Sequence, residues 1–111
     1  MLSTEEAFRR LTIGDPGILN GGQDRRGMPL VVTRLDERTE ALLQIAALIA
    51  IDGPQTSYQS VVEAALRSGA RREDLPGVLL AVAGIIGSAR VVGAAPRIAL
   101  AAGYDVEAAL E

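Results

Sequence analysis

The stretch Asp36–Ile51, DERTEALLQIAALIAI, decides the fold class of this chain. Asp36 precedes the predicted helix, and Asp52-Gly53-Pro54 supplies a stop signal directly after it. In its second half, large aliphatic side chains lie all around the helical axis, which is typical of a helix buried on most of its faces. The pattern predicts a long buried helix at the centre of an all-α fold.

Three more helices are predicted C-terminal to this one. The first covers residues 57–68, with Ser57 as its N-cap. The second covers residues 73–87, where an early proline is tolerated because first-turn amides have no intrahelical partner. The last covers residues 88–102, and Pro96 is expected to kink it or to split it.

Residues 1–34 are predicted to form an N-terminal helical arm and connector, and residues 35–111 the main helical domain. Ser3-Thr4-Glu5-Glu6 has the pattern of a capping box, in which the hydroxyl of the serine accepts from the last amide and the last glutamate reaches back. The helix that follows would run to about Leu11. It would bury Phe8 and Leu11, which are three residues apart.

A short second helix is predicted in the arm. Asp15-Pro16 places a capping side chain before a proline at the first helical position, and Gly21-Gly22 ends the helix. Residues 21–34 then form the connector. Val31-Val32 is its strand-like stretch, and because the sequence offers it no partner strand, no sheet is predicted.

Composition excludes several classes of chemistry. The chain has 111 residues, a formal charge of −3, and no Cys, His, Lys or Trp. Without Cys there is no disulfide, thiol redox centre or zinc finger, and without His there is no Ser-His-Asp triad. The acidic balance argues against a nucleic-acid partner. No apolar run makes a convincing membrane span and the N-terminus is unlike a signal peptide, so a cytoplasmic protein is expected.

The core of this chain is predicted to be thin. Eighteen residues are alanine and three are aromatic. Small side chains bury little area each, and a chain of this size buries only about two-thirds of its unfolded surface. The apolar stretches Ala41–Ile51 and Val78–Ile86 exceed what one such core would cover. We therefore expect a homo-oligomer.

Two motifs follow one another at a characteristic spacing. Leu35-Asp36-Glu37-Arg38-Thr39 opens the central helix, and Ala64-Ala65-Leu66-Arg67-Ser68-Gly69-Ala70 leads into Arg71-Arg72-Glu73-Asp74-Leu75. Together they resemble the carboxymuconolactone decarboxylase family, which includes the AhpD-type alkylhydroperoxidases. The tail, Ala94-Ala95-Pro96 and then Gly103-Tyr104-Asp105-Val106-Glu107, is similar to a subgroup of short chains in it. The resemblance implies an AhpD-like helical fold built on an antiparallel helix pair, assembled as a homotrimer or homohexamer.

The resemblance also implies where redox members carry their catalytic groups. Their Cys-x-x-Cys-x-x-x-His motif falls on Pro54, Ser57 and Val61, and their proton-relay glutamate falls near Ala41 or Leu42. Every one of these positions is replaced here. We therefore predict no thiol peroxidase activity, no catalytic residue, no cofactor and no metal site.

A remnant of the family's pocket is predicted between the 36–51 helix and the start of the next one. Gln44, Ser57, Tyr58, Val61 and Arg90 would lie near it and hold a small, neutral or weakly polar organic ligand. Three of these residues have an alternative structural role. Ser57 can cap its helix, Tyr58 can cover the loop, and Gln44 can bond to a neighbouring helix.

Arg90 and Arg97 are seven residues apart and fall on one face of a straight helix. Two guanidiniums on one stripe can hold a dicarboxylate. The alternative is that they pair with acidic residues across an interface or are solvated.

Three functions remain open. The chain is a non-redox, oligomeric carboxymuconolactone decarboxylase-like protein with a binding or structural role, a thiol-independent enzyme acting on a small carboxylic acid or lactone, or a helical partner subunit of a larger complex. A closed self-symmetric oligomer with a polar pocket would favour the enzyme. A large apolar patch left exposed after self-assembly would favour the partner subunit.

Overall fold

The structure is a computed structural model, and it describes residues 2–19 and 35–106. The regular structure of these residues consists of six α-helices, which confirms the predicted all-α class. The connector predicted at 21–34, with Gly21-Gly22 and Val31-Val32, lies outside the described residues. Contacts divide the chain into two compact units, residues 1–35 and 36–111. None of the described helices is both long and apolar enough to cross a membrane.

The first unit begins with α1, Thr4–Thr12. The predicted cap is present, since the Glu6 amide donates to Ser3 Oγ at 3.1 Å. The Glu6 carboxylate, however, turns towards Arg9, which donates to it at 2.7 Å, and Arg10, which donates at 3.1 Å. These two charge-assisted bonds lower the pKa of Glu6 to about 2.

The predicted burial of Phe8 and Leu11 is wrong. Their side chains are 66% and 47% exposed, and α1 buries no residue. The second helix of this unit, α2, spans Pro16–Leu19, and Asp15 Oδ1 accepts from its Gly17 amide as the sequence predicts. Four residues form too small a surface to cover an amphipathic helix, so α1 keeps its apolar side chains exposed.

The second unit contains the four longer helices: α3 (Glu37–Ile51), α4 (Gln55–Arg67), α5 (Asp74–Ile86) and α6 (Ser88–Ala101). Asp36 is the N-cap of α3, and the Thr39 amide donates to its Oδ1 at 2.7 Å. That bond holds the pKa of Asp36 below its ordinary value.

The N-cap of α4 is Pro54 rather than the predicted Ser57. Ser57 lies within the first turn, and its amide donates to the Pro54 carbonyl at 3.0 Å. The reason lies in the preceding turn. Asp52 adopts a left-handed conformation (φ 55°) that reverses the chain at once, and Pro54 then enters the helix from an extended conformation. No side chain caps this helix.

The end of α4 follows its sequence signal closely. Gly69 has φ +100°, a region that favours glycine, and the Ala70 amide donates to the Ala65 carbonyl at 3.0 Å. This is the Schellman arrangement that closes a helix. At the start of α5, Asp74 accepts from the Arg71 amide at 2.8 Å. The charged turn between α4 and α5 is therefore held by its own hydrogen bonds.

The last helix, α6, continues through Pro96. Splitting into two helices at Pro96, one of the two predicted outcomes, does not occur. Proline has no amide to donate four residues back, so the backbone carbonyl of Val92 loses its usual helical partner.

The core of the second unit draws on all four helices. Its largest fully buried side chains are Ile45, Ile49, Tyr58, Val62 and Ile98. The prediction that α3 is buried on most of its faces is wrong.

Only one stripe of α3, formed by Ala41, Ile45 and Ile49, is buried. Leu43 and Ile51 are 53% and 71% exposed. The helix packs against α4, α5 and α6. Leu42 and Leu48, beside that stripe, are half-buried against the same core.

Candidate functional site

The five residues predicted near a remnant pocket have different surroundings. Tyr58 is fully buried, Ser57 and Val61 are half-buried, and Gln44 and Arg90 are exposed. Tyr58 belongs to the core cluster that includes Ile45 and Ile49 of α3, and Val61 packs against this cluster. The pocket itself stays a prediction.

Tyr58 carries an unusual hydroxyl. The oxygen is buried, and it has no hydrogen-bond partner within the described part of the chain. Burial raises the pKa of Tyr58; Arg97 and Arg90 oppose that shift, and Asp52 adds to it. A buried hydroxyl without a partner costs stability.

Arg90 and Arg97 converge on one carboxylate of the same chain. Arg90 Nη1 lies 3.8 Å from Asp52 Oδ2, and Arg97 Nη1 lies 4.0 Å from Asp52 Oδ1. Arg97 Nη1 also donates to the Gly53 carbonyl at 3.0 Å, and Gln55 Nε2 donates to the Arg97 carbonyl at 2.9 Å. The two arginines therefore pair with an acidic residue of their own chain, and not across an interface as the alternative had predicted. Two guanidiniums against one carboxylate leave an excess positive charge at the α3–α4 turn.

A larger concave region lies elsewhere, between the end of α4, the first half of α5 and the second half of α6. It is a groove with a volume of about 1020 Å³. Its walls are mainly aliphatic and include Leu66, Leu75, Leu79, Val92, Ala95 and Ile98. Its described charged residues are the consecutive Arg71, Arg72 and Glu73.

A second cavity, of about 140 Å³, lies between the start of α4 and the end of α6. Gln55, Arg97, Tyr104 and Asp105 contribute its polar lining. It is smaller than the roughly 300 Å³ of a typical ligand pocket. None of the five predicted site residues lines this cavity or the groove.

The sequence pattern predicts no binding role for Asp52, Gln55, Arg71 or Arg72. Arg71 and Arg72 were noted as part of a charged turn, but nothing in the sequence shows that this turn borders an aliphatic groove. Asp52 was interpreted as a helix stop. Its pairing with two arginines about forty residues away depends on how α6 crosses the α3–α4 turn. Among residues 2–19 and 35–106, no group of three acidic side chains is arranged to hold a metal ion.

Comparisons with known proteins give little further information about this site. No protein-family model matches the chain, and no solved structure matches it. The chain is similar to Tat-binding homolog 7 of Caenorhabditis briggsae, with 28% identity over 67 residues. The similarity covers 60% of this chain but 5% of that protein, so the chain spans a small part of its relative's length.

Proposed function

We propose that this chain is a homo-oligomeric, non-redox protein of the carboxymuconolactone decarboxylase type, with a binding or structural role. Its sequence motifs support this proposal because each has a definite structural task. Asp36 and Thr39 form the cap of α3, and Gly69-Ala70 closes α4. Asp74 of the second motif fixes the turn into α5. The absence of Cys supports a role outside thiol redox chemistry.

The outer face of α5 is the observation on which self-assembly rests. Leu80 is 75% exposed and Ile85 is 88% exposed. The other exposed positions of this helix are small or uncharged: Pro76, Gly77, Ala81 and Gly84.

After Asp74, then, α5 carries no charge on either its inner or its outer face. A helix that is apolar all round is normally buried on all sides. A second copy of the chain would supply the missing cover, and interfaces of that kind resemble a core cut in half.

Light scattering tests the assembly. We expect the native protein to have a mass that is a multiple of 11.6 kDa, corresponding to a trimer or a hexamer. Ile85→Arg places a charge on the outer face of α5 and is expected to yield monomers. Thr56→Arg adds the same side chain to an exposed position of α4 and is expected to leave the mass unchanged. A native protein that is monomeric at micromolar concentration refutes self-assembly and favours a helical partner subunit of another complex.

A second assay tests the redox part of the proposal. With a hydroperoxide and a dithiol reductant, turnover is expected to equal the protein-free blank, because no side chain can form the attacking thiolate. Turnover above the blank that follows the protein through purification would overturn this expectation.

A second candidate function is a thiol-independent enzyme for a small carboxylic acid or lactone. The grouping of Arg90 and Arg97 beside the turn between α3 and α4 favours it, since guanidiniums bind carboxylates. Consumption of a small lactone that is lost in Arg97→Gln, with the fold intact by circular dichroism, would support this candidate. Equal consumption by both proteins would exclude this cluster as its site.

A further inference from the structure

We propose that the groove between α4, α5 and α6 binds an amphipathic monocarboxylate, with its alkyl chain along the groove and its carboxylate at the Arg71-Arg72 end. The proposal does not depend on the assembly proposed above. It rests on the shape of the groove, on the distribution of polar groups along it, and on the charge at one end.

The groove is long and aliphatic. Along α6 it extends from Val92 to Ala102, which at 1.5 Å per residue corresponds to about 15 Å. Its volume of about 1020 Å³ is at the upper end of the range for small-molecule sites. Leu75 and Leu79 form the wall on α5. A ligand that buries most of its length here must be an extended hydrocarbon.

The charged residues are confined to one end. Arg71, Arg72 and Glu73 are consecutive in the turn between α4 and α5, and the Arg72 side chain reaches the C-terminus of α6, where its Nε donates to the Ala102 carbonyl at 3.1 Å. Val92, at the other end, lies about three helical turns away. The groove is therefore polar at one end and apolar along the rest, as an amphipathic ligand requires.

The charge at this end is positive. Asp74 is already engaged by Arg38, whose Nη2 lies 2.9 Å from Oδ2, and it accepts from the Arg71 amide. With Arg72 and Glu73 included, three guanidiniums face two carboxylates. The excess of one positive charge is neutralised by one carboxylate and would repel a cationic head group.

Arg72 is the residue best placed to bind the carboxylate. The bond from its Nε to Ala102 fixes the guanidinium, and its two terminal nitrogens make no hydrogen bond within the described part of the chain. A guanidinium held in this way can donate from both terminal nitrogens to one carboxylate at little further cost in side-chain entropy.

A second copy of the chain is the competing occupant of the groove. The most exposed large side chains of α5, Leu80 and Ile85, do not line it. The outer face of α5, on which we propose that a second copy packs, is thus largely separate from the groove. Pro76, an exposed position of the outer face of α5, also lines the groove.

Calorimetric titration with dodecanoate below its micelle concentration tests the proposal. We expect saturable binding to the native protein, and none with acetate, which lacks the chain, or with dodecyltrimethylammonium, which carries the opposite charge. Arg72→Gln is expected to weaken dodecanoate binding about tenfold to a hundredfold, the range for a lost hydrogen bond to a charged group. Arg67→Gln, an exposed arginine outside the groove, should bind as the native protein does.

A second pair of variants tests the apolar part of the groove. Ala99→Trp fills the groove and is expected to abolish binding, while Ala89→Trp adds the same side chain to an exposed position of α6 outside it. Circular dichroism and light scattering on each variant report fold and assembly separately from binding. The proposal is overturned if dodecanoate does not bind or if the ammonium analogue binds equally well. It is also overturned if Ala99→Trp breaks the oligomer but binds dodecanoate as the native protein does.

Discussion

Replacing Tyr58 by Phe is expected to stabilise this protein. The ring of Tyr58 is fully buried in the core, and its hydroxyl has no partner within the described part of the chain. An unsatisfied buried polar group costs about 1–3 kcal/mol, and Phe keeps the packing of the ring while removing that group. We therefore expect the free energy of unfolding to rise by about 1–2 kcal/mol.

Urea unfolding measures this change directly, and a thermal scan provides a second reading. For a domain of this size, each kcal/mol moves the melting temperature by roughly 4–8 °C. Protein concentration must be equal in all samples, because assembly makes the melting temperature concentration-dependent. Tyr104→Phe is the matched control: its side chain is 51% exposed, so its stability should stay within about 0.5 kcal/mol of the native value.

Alkaline pH gives the same prediction an independent test. Burial raises the pKa of Tyr58 in the folded chain above that in the unfolded chain. Folding therefore favours the neutral phenol, and this contribution is complete below the unfolded pKa of about 10 and is lost as pH rises through the folded-state pKa. Tyr58→Phe should lose less stability at high pH than the native protein.

A loss of stability in Tyr58→Phe, with Tyr104→Phe unchanged, would refute this reasoning. The hydroxyl would then have a partner in solution, such as a bound water or a neighbouring subunit. In that case its removal would break a hydrogen bond worth about 1 kcal/mol.

Two further predictions concern the turn between α4 and α5. Bonds from the Arg71 amide and from Arg38 lower the pKa of Asp74, so its stabilising contribution is present above the unfolded pKa and is lost as pH falls through the folded-state pKa. Asp74→Asn should lower the urea midpoint at neutral pH and leave it unchanged in acid below that pKa; equal losses at both would contradict this cause. Gly69→Ala should cost about 1–2 kcal/mol, because φ is +100°. Gly93→Ala, within α6 and with open space around the added methyl, should gain about 0.5–1 kcal/mol in the same urea titration.

Helix boundaries were predictable wherever a short-range signal determines them. The predicted cap at Ser3 depends on a side chain and an amide three residues on, and this bond forms. Asp36, which precedes the predicted central helix, makes the same kind of bond. The stop at Gly69 depends on one left-handed residue. The predicted role of Ser57 as the N-cap of α4 is wrong because that role depends on the conformation of the turn before it. Asp52 and Pro54 complete that turn early and leave Ser57 inside the helix.

Burial was predicted less well than helicity, for a physical reason. Periodicity shows which side chains are apolar, but it does not show what surface lies opposite them. Phe8 and Leu11 have the spacing of a buried stripe, and Leu43 and Ile51 follow a buried pattern, yet all four are exposed. These positions mark faces for which the described chain provides no cover, and this is the same property that supports assembly.

The two arginines of α6 show where sequence spacing stops being informative. A separation of seven residues correctly placed Arg90 and Arg97 on one side of the helix, since both reach the same carboxylate. Spacing alone could not identify Asp52 as their partner, because that contact depends on the turn between α3 and α4. The two distances, 3.8 and 4.0 Å, are long for hydrogen-bonded pairs, and all three side chains are about half exposed. Such pairs contribute little to stability, so a carboxylate ligand can compete with Asp52 at low cost. Asp52 therefore pairs with the two arginines without preventing a carboxylate ligand from binding them. For that reason, the enzyme alternative is tested by the substitution Arg97→Gln.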